Sequence, residues 1–147
     1  MKAATRIVSL ALAAYTAAWF VRVVKGGSTL TDGILPGWEA LRVALSPLWP
    51  YKWNIDGGLL GLLSVASALT NLIVLALPFW LHLAGRHRPA VVIGPLWLAT
   101  AINAFWMYPT PQDLRWGYYM WFGSFIILAV GLARYAKGLR LAHSSAA

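Results

Sequence analysis

The chain has 147 residues, 60% of them hydrophobic and only 11% charged, with a formal net charge of +8. Soluble domains carry about a quarter charged residues, so this composition excludes an ordinary water-soluble fold and indicates an integral membrane protein. The absence of cysteine excludes disulfides, thiolate metal sites and thiol catalysis.

The charges sort by position. Met1 to Arg6, Gly85 to Pro89 and the segment from Arg134 onward contain Lys2, Arg6, Arg86, Arg88, Arg134, Lys137 and Arg140 but no acid, a charge of +7. All four acids, Asp32, Glu39, Asp56 and Asp113, lie elsewhere with Arg22, Lys25, Arg42, Lys52 and Arg115, a charge of +1. Lys and Arg in short loops are retained on the cytoplasmic side of a membrane. The pattern therefore predicts a multi-pass protein with both termini cytoplasmic, and the compact chain with its basic start suggests a bacterial cytoplasmic (inner) membrane. Orientation and attraction to anionic lipid, about 1 kcal/mol per near-surface base, account for the excess charge. Nucleic acid is not an expected partner.

In chain order, the first apolar run covers residues 7–24, interrupted only by Arg22, and is just long enough to span. A basic start followed by small apolar residues also has the form of a secretory signal, with Ala11-Leu12-Ala13 as its cleavage site. The run continues through Trp19 and Phe20, however, and removing it would leave three spans and termini on opposite sides. It is read as a retained span. Residues 25–56, rich in Gly, Pro, Thr and Trp, form an outer loop. Within it Trp38, Leu41 and Leu45 recur at helical spacing, with Glu39 and Arg42 on another face. Pro36 before this stretch, and Pro47 and Pro50 after it, bound a short amphipathic helix.

The second run, 57–83, would be about 40 Å long as a helix against a hydrocarbon core of about 30 Å, so it must tilt or project. Pro78 is placed to kink it. A basic turn at 85–89 leads to a third span, 90–108, containing Gly94-Pro95, and a short loop leads to a fourth, 117–135. Lys137 and Arg140 mark its cytoplasmic end, and the polar tail His143-Ser-Ser-Ala-Ala reads as disordered. The predicted fold class is an all-α membrane protein, one domain with four transmembrane helices in an up-down antiparallel bundle. Gly57, Gly61, Ser64, Ala68 and Asn71 make one small-residue stripe on the second span; Gly117, Ser124, Gly131 and Gly138, each seven apart, make another on the fourth. Such stripes let membrane helices pack closely or leave a groove for lipid or a partner helix. The order of elements, a long first outer loop with a short helix and a short second one, resembles that of tetraspan proteins such as claudins. Their loop motif needs cysteines that are absent here, so the resemblance bears on fold alone.

Trp19, Trp38, Trp49, Trp53, Trp106, Trp116 and Trp121 fall at or beyond the outer boundary, against Trp80 alone near the inner one. An aromatic belt would occupy both interfaces, so the outer loop is expected to fold back as an aromatic cap. Trp38, Trp49, Trp53, Trp106 and Trp116 are candidate contacts for lipid or a protein partner. Asn71, with Thr16, Thr70, Thr100 and Ser124 at similar depth, and Asn103, about one turn further out, are candidates for interhelical hydrogen bonding or a polar cavity. No Asp, Glu, Lys or Arg lies mid-span, which removes the ionisable relay of a proton-coupled transporter. His82 and His87 alone are a weak metal signal, and no nucleotide loop or catalytic serine motif is present. The leading expectation is a non-catalytic membrane protein without cofactor that binds lipid or a membrane-protein partner through its outer face, in an immunity-type or accessory role, or as a homo-oligomer. A small transporter or oligomeric channel with a polar layer around Asn71 is the first alternative. A lipid-modifying enzyme using outer carboxylates is the second.

Overall fold

The computed structural model describes residues 2–25, 33–49, 58–83 and 90–144. Asp32, Lys52, Trp53, Asp56, Gly57, the basic turn at 85–89 and the last three residues lie outside the described residues. The protein is mostly helical, with α1 (Lys2–Ala18), α2 (Gly37–Ala44), α3 (Gly58–Leu83), α4 (Ala90–Ala104) and α5 (Trp116–Ser144). A 3-10 turn, Phe105–Met107, extends α4, and two strands, β1 (Arg22–Lys25) and β2 (Ile34–Pro36), form a small antiparallel sheet. Stretches of α3 and α5, Gly58–Trp80 and Trp116–Leu139, are long and apolar enough to cross a membrane; Ala3–Ala18 and Val91–Met107 are shorter apolar helices.

The core forms where α5 packs between α1 and α4, with α3 against α4. Tyr15, Leu77, Leu96, Ala99, Phe125, Leu128 and Leu132 are buried together there. Small residues set the approach of α1 to α5. Gly117, Ser124 and Gly131 of α5 are buried, and so are Ala4, Ala11 and Ala18 of α1, likewise seven apart. A Cβ on Gly117 would meet the Arg22 carbonyl oxygen at 2.5 Å and Val21 Cγ2 at 2.7 Å, and one on Gly131 would meet methyl groups of Ile7 and Val8 at 3.0 Å. The pairing of 117 with 21–22 and of 131 with 7–8 shows that the two helices run antiparallel. Close backbone approach gains the dispersion contacts that must hold helices together where burial from water does not.

Two boundaries differ most from the sequence reading. The first helix ends at Ala18, and residues 22–24, expected to continue it, begin a strand. Val21, Val23 and Val24 are β-branched and stiff at χ1, and alternation around the buried Val23 suits a strand. The strand's backbone is paired along both edges: β2 takes one, in the register Val24 to Leu35 and Lys25 to Ile34, and Val24 bridges to Leu114 on the other. Lys25 N donates to Asp113 O at 2.7 Å, and Arg115 N to Val23 O at 2.8 Å. The second difference is that α5 reaches Ser144, about nine residues beyond the expected end at 135. Lys137 and Arg134 are good helix formers, and the last apolar turn includes Leu139 and Leu141.

The predicted short helix forms as α2, in place of 37–45 ending at Ala44. It has no side-chain cap at its start; instead Trp38 N donates to Trp19 O at 3.2 Å, pairing an orphan donor of α2 with a carbonyl just past α1. At its other end Ser64 Oγ of α3 donates to Ala44 O at 2.8 Å. The segments 22–25, 34–49 and 110–115 are thereby hydrogen-bonded to one another and to the helices as a cap over one end of the molecule. No disulfide is needed.

The glycine contacts define a graded test. Gly117→Ala forces the backbone of α5 away from Arg22 and should lower stability by about 1–3 kcal/mol, the usual cost of overpacking. Gly131→Ala presses only on side-chain methyl groups, with the backbone Val8 N at an ordinary 3.6 Å, and should cost less. Gly123→Ala, with nothing within 4 Å of its Cβ, should be neutral or stabilising by up to about 1 kcal/mol. Thermal unfolding in a single detergent checks the order; a Gly123 variant as unstable as the Gly117 variant would contradict this packing.

Candidate functional site

Beneath the cap lies a cavity of about 280 Å³. Its walls are largely apolar: Val23, Val24 and Leu35 of the sheet, Ala40, Leu41 and Val43 of α2, and Ala18 and Leu114. Trp19, Trp106, Tyr118 and Trp121 supply aromatic surface, and Ser64, Ser67, Ala68 and Asn71 line it from α3. The space exists because these α3 residues are small. The stripe that could have brought a helix close instead leaves room under α2, while the stripe on α5 does the close packing.

The polar groups at the α3 side are tied into two nodes. Asn71 Oδ1 accepts from Tyr15 Oη at 2.9 Å and from Trp121 Nε1 at 3.0 Å, joining α3 to α1 and α5. Its Nδ2 donates to Ala68 O at 3.0 Å. Asn103 Nδ2 donates to Thr70 Oγ1 at 3.0 Å and Ala99 O at 2.8 Å, and its Oδ1 accepts from Ser67 Oγ at 2.5 Å. Tyr118 Oη donates to Asn103 O, which carries the second node to α5. Among the described residues no buried side-chain nitrogen or oxygen lacks a partner. An unpaired buried group would cost about 1–3 kcal/mol. Rings close the spaces between the nodes: Trp121 meets Phe125 edge-on at 5.1 Å and Tyr15 meets Phe125 at 6.1 Å, within the range of favourable aromatic pairs.

The sequence-predicted residues divide into two groups. Asn71 and Trp106 line the cavity, and fully buried Asn103 stands behind it, bonded to the lining residue Ser67. Trp38, Trp49 and Trp116 do not line it and are exposed, Trp49 by 75%; Trp53 lies outside the described residues. Sequence reasoning did not single out Ser67, Tyr118 or Lys25; it counted Asp113 only among the outer carboxylates, and Trp19 and Trp121 only as part of the aromatic bias. Spacing could have found Ser67, one turn before Asn71. Lys25 and Asp113 belong to different loops, and only the strand pairing brings them to one cavity. No metal-binding group of three or more His, Cys, Asp or Glu occurs among the described residues. The chain matches no family model, no characterised protein and no solved structure.

The Asn71 node makes a quantitative test. Tyr15→Phe or Trp121→Phe removes one donor and should cost about 0.6 kcal/mol, the average for a hydrogen bond between membrane helices. Asn71→Leu strands both donors and should cost more than the two together. A double-mutant cycle of unfolding free energies would measure the coupling; strictly additive Asn71 and Tyr15 effects would contradict the bond.

Proposed function

We propose that this is a non-catalytic membrane protein of four spans in an up-down bundle, both termini cytoplasmic, which holds the hydrocarbon chain of a membrane lipid in the cavity beneath its cap. The cavity is the observation that carries this reading. Its apolar walls favour hydrocarbon by about 25 cal/mol for each Å² removed from water. A single water needs only about 10–15 Å³ of such space, so 280 Å³ admits many atom-sized groups. That suits the end of a hydrocarbon chain. The polar lining is largely bonded to itself, which supports a binding site over a permeation path.

The four-span topology is supported by helix lengths and packing. At 1.5 Å per residue, α1 with its 17 residues is about 26 Å long. The 15 residues of α4 with their 3-10 turn reach about 28 Å. Both approach the hydrocarbon thickness of about 30 Å, and a small mismatch costs only fractions of a kcal/mol per Å. Because α1 lies along α5 from Gly117 to Gly131, a bilayer crossed by α5 must also contain α1. The exposed Trp38, Trp49 and Trp116 then suit the outer interface, where an indole finds both apolar and wet surroundings. The acid-free segments favour a cytoplasmic setting for the opposite end, and the proposed location is a bacterial inner membrane.

Ala40→Phe, on the face of α2 that lines the cavity, should fill it and reduce co-purified lipid at least several-fold while helix content is retained; unchanged lipid would reject the site. Trp49→Ala should leave bound lipid unchanged. For topology, Gln112→Cys and Lys137→Cys, each the only thiol in its chain, should react with an impermeant maleimide from opposite faces of sealed vesicles. Labelling from the same face would reject the four-span arrangement.

A further inference from the structure

Two charged residues line the apolar cavity, Lys25 at the end of β1 and Asp113 in the loop before α5. Lys25 is exposed and Asp113 half-buried, so both stand at the mouth, where the cavity meets solvent. Their backbones are fastened together: Lys25 N donates to Asp113 O at 2.7 Å, and the adjacent residues Val24 and Leu114 form a β-bridge. No side-chain ion pair joins them among the described residues. A positive and a negative residue are thus brought side by side at the backbone, from two loops, at the mouth of an apolar cavity.

We infer that the lipid held here is a zwitterionic phospholipid whose head carries a phosphate followed by a primary ammonium, the phosphate meeting Lys25 and the ammonium meeting Asp113. This rests on the lipid-binding reading above and gives it a headgroup class. A lone lysine would favour any phosphate head, and an anionic lipid most of all. The carboxylate changes the preference. Beside a purely anionic head it is a repulsive neighbour, whereas an ammonium can satisfy it through charge-assisted hydrogen bonds. The nearby bases do not replace this pairing: Arg115 turns a guanidinium nitrogen to Gln112 O at 3.2 Å, and neither it nor Arg22 lines the cavity.

The test uses the full chain in mild detergent, equilibrated with equal amounts of phosphatidylethanolamine and phosphatidylglycerol of identical acyl chains, and read by native mass spectrometry. The unaltered protein should retain one lipid, mainly phosphatidylethanolamine. Lys25→Ala should weaken retention of both lipids by about five-fold, the effect of one near-surface basic contact of about 1 kcal/mol. Asp113→Asn keeps the side-chain size and the backbone bond, and should shift the ratio about five-fold toward phosphatidylglycerol without loss of total lipid. Helical circular dichroism serves as the control for folding in each variant. Equal retention of the two lipids by the unaltered protein, or an unchanged ratio in Asp113→Asn, overturns the headgroup assignment and leaves the lipid-binding reading standing. Absence of retained lipid in the unaltered protein overturns both.

Discussion

A single carboxamide oxygen organises the interior. Asn71 Oδ1 accepts from a tyrosine on α1 and an indole on α5 while its own helix, α3, packs chiefly on α4. In an apolar interior such a group has few alternatives, since an unmade bond leaves a polar atom desolvated without compensation. Apolar side chains alone are tolerant partners, since cores survive extensive hydrophobic substitution when volume and pattern are kept. Two donors converging on one oxygen are not. The node therefore sets the rotation of α3 about its own axis, which in turn decides that Ser64, Ser67 and Ala68 line the cavity.

The second node, around Asn103, does the same for α4, using Ser67 and Thr70 from α3 and Tyr118 from α5. Ser67 belongs to both the node and the cavity wall, so the position of the wall is tied to the packing of three helices. The site is consequently built on helices, with the loops contributing only its roof and mouth. That division has a thermodynamic basis. The roof hangs on a small number of backbone bonds and a short helix, and such elements open at lower free energy than a packed core.

The cap shows how a chain without cysteine can fix the described parts of a long loop. Its strands satisfy their own backbone groups, β1 being paired along both edges, and α2 borrows the Trp19 carbonyl in place of a side-chain cap. The cost in sequence is local and specific. Gly37 is required where α2 meets the end of α1, because a Cβ there would press on Ala18 O and on Trp19 Cα, 2.8 Å away. Gly117 is required where α5 passes under Arg22.

The amino-acid sequence by itself determined the apolar helical class of the protein, the short helix after Pro36, the small faces of α3 and α5, and the inward, hydrogen-bonded setting of Asn71 and Asn103, because these depend on local composition and on the helical period. It misplaced the end of the first helix, since a Val-rich segment after an apolar run suits helix and strand alike until a pairing edge is available. It also weighted the tryptophans by position along the chain, which separates an interface from an interior but does not separate exposed Trp49 from Trp106 at the cavity wall. The cavity, the partners of the two asparagines and the meeting of Lys25 with Asp113 were decided only by the tertiary structure. Each depends on residues far apart in the chain, and their contacts exist only once helix rotation and strand register have been set.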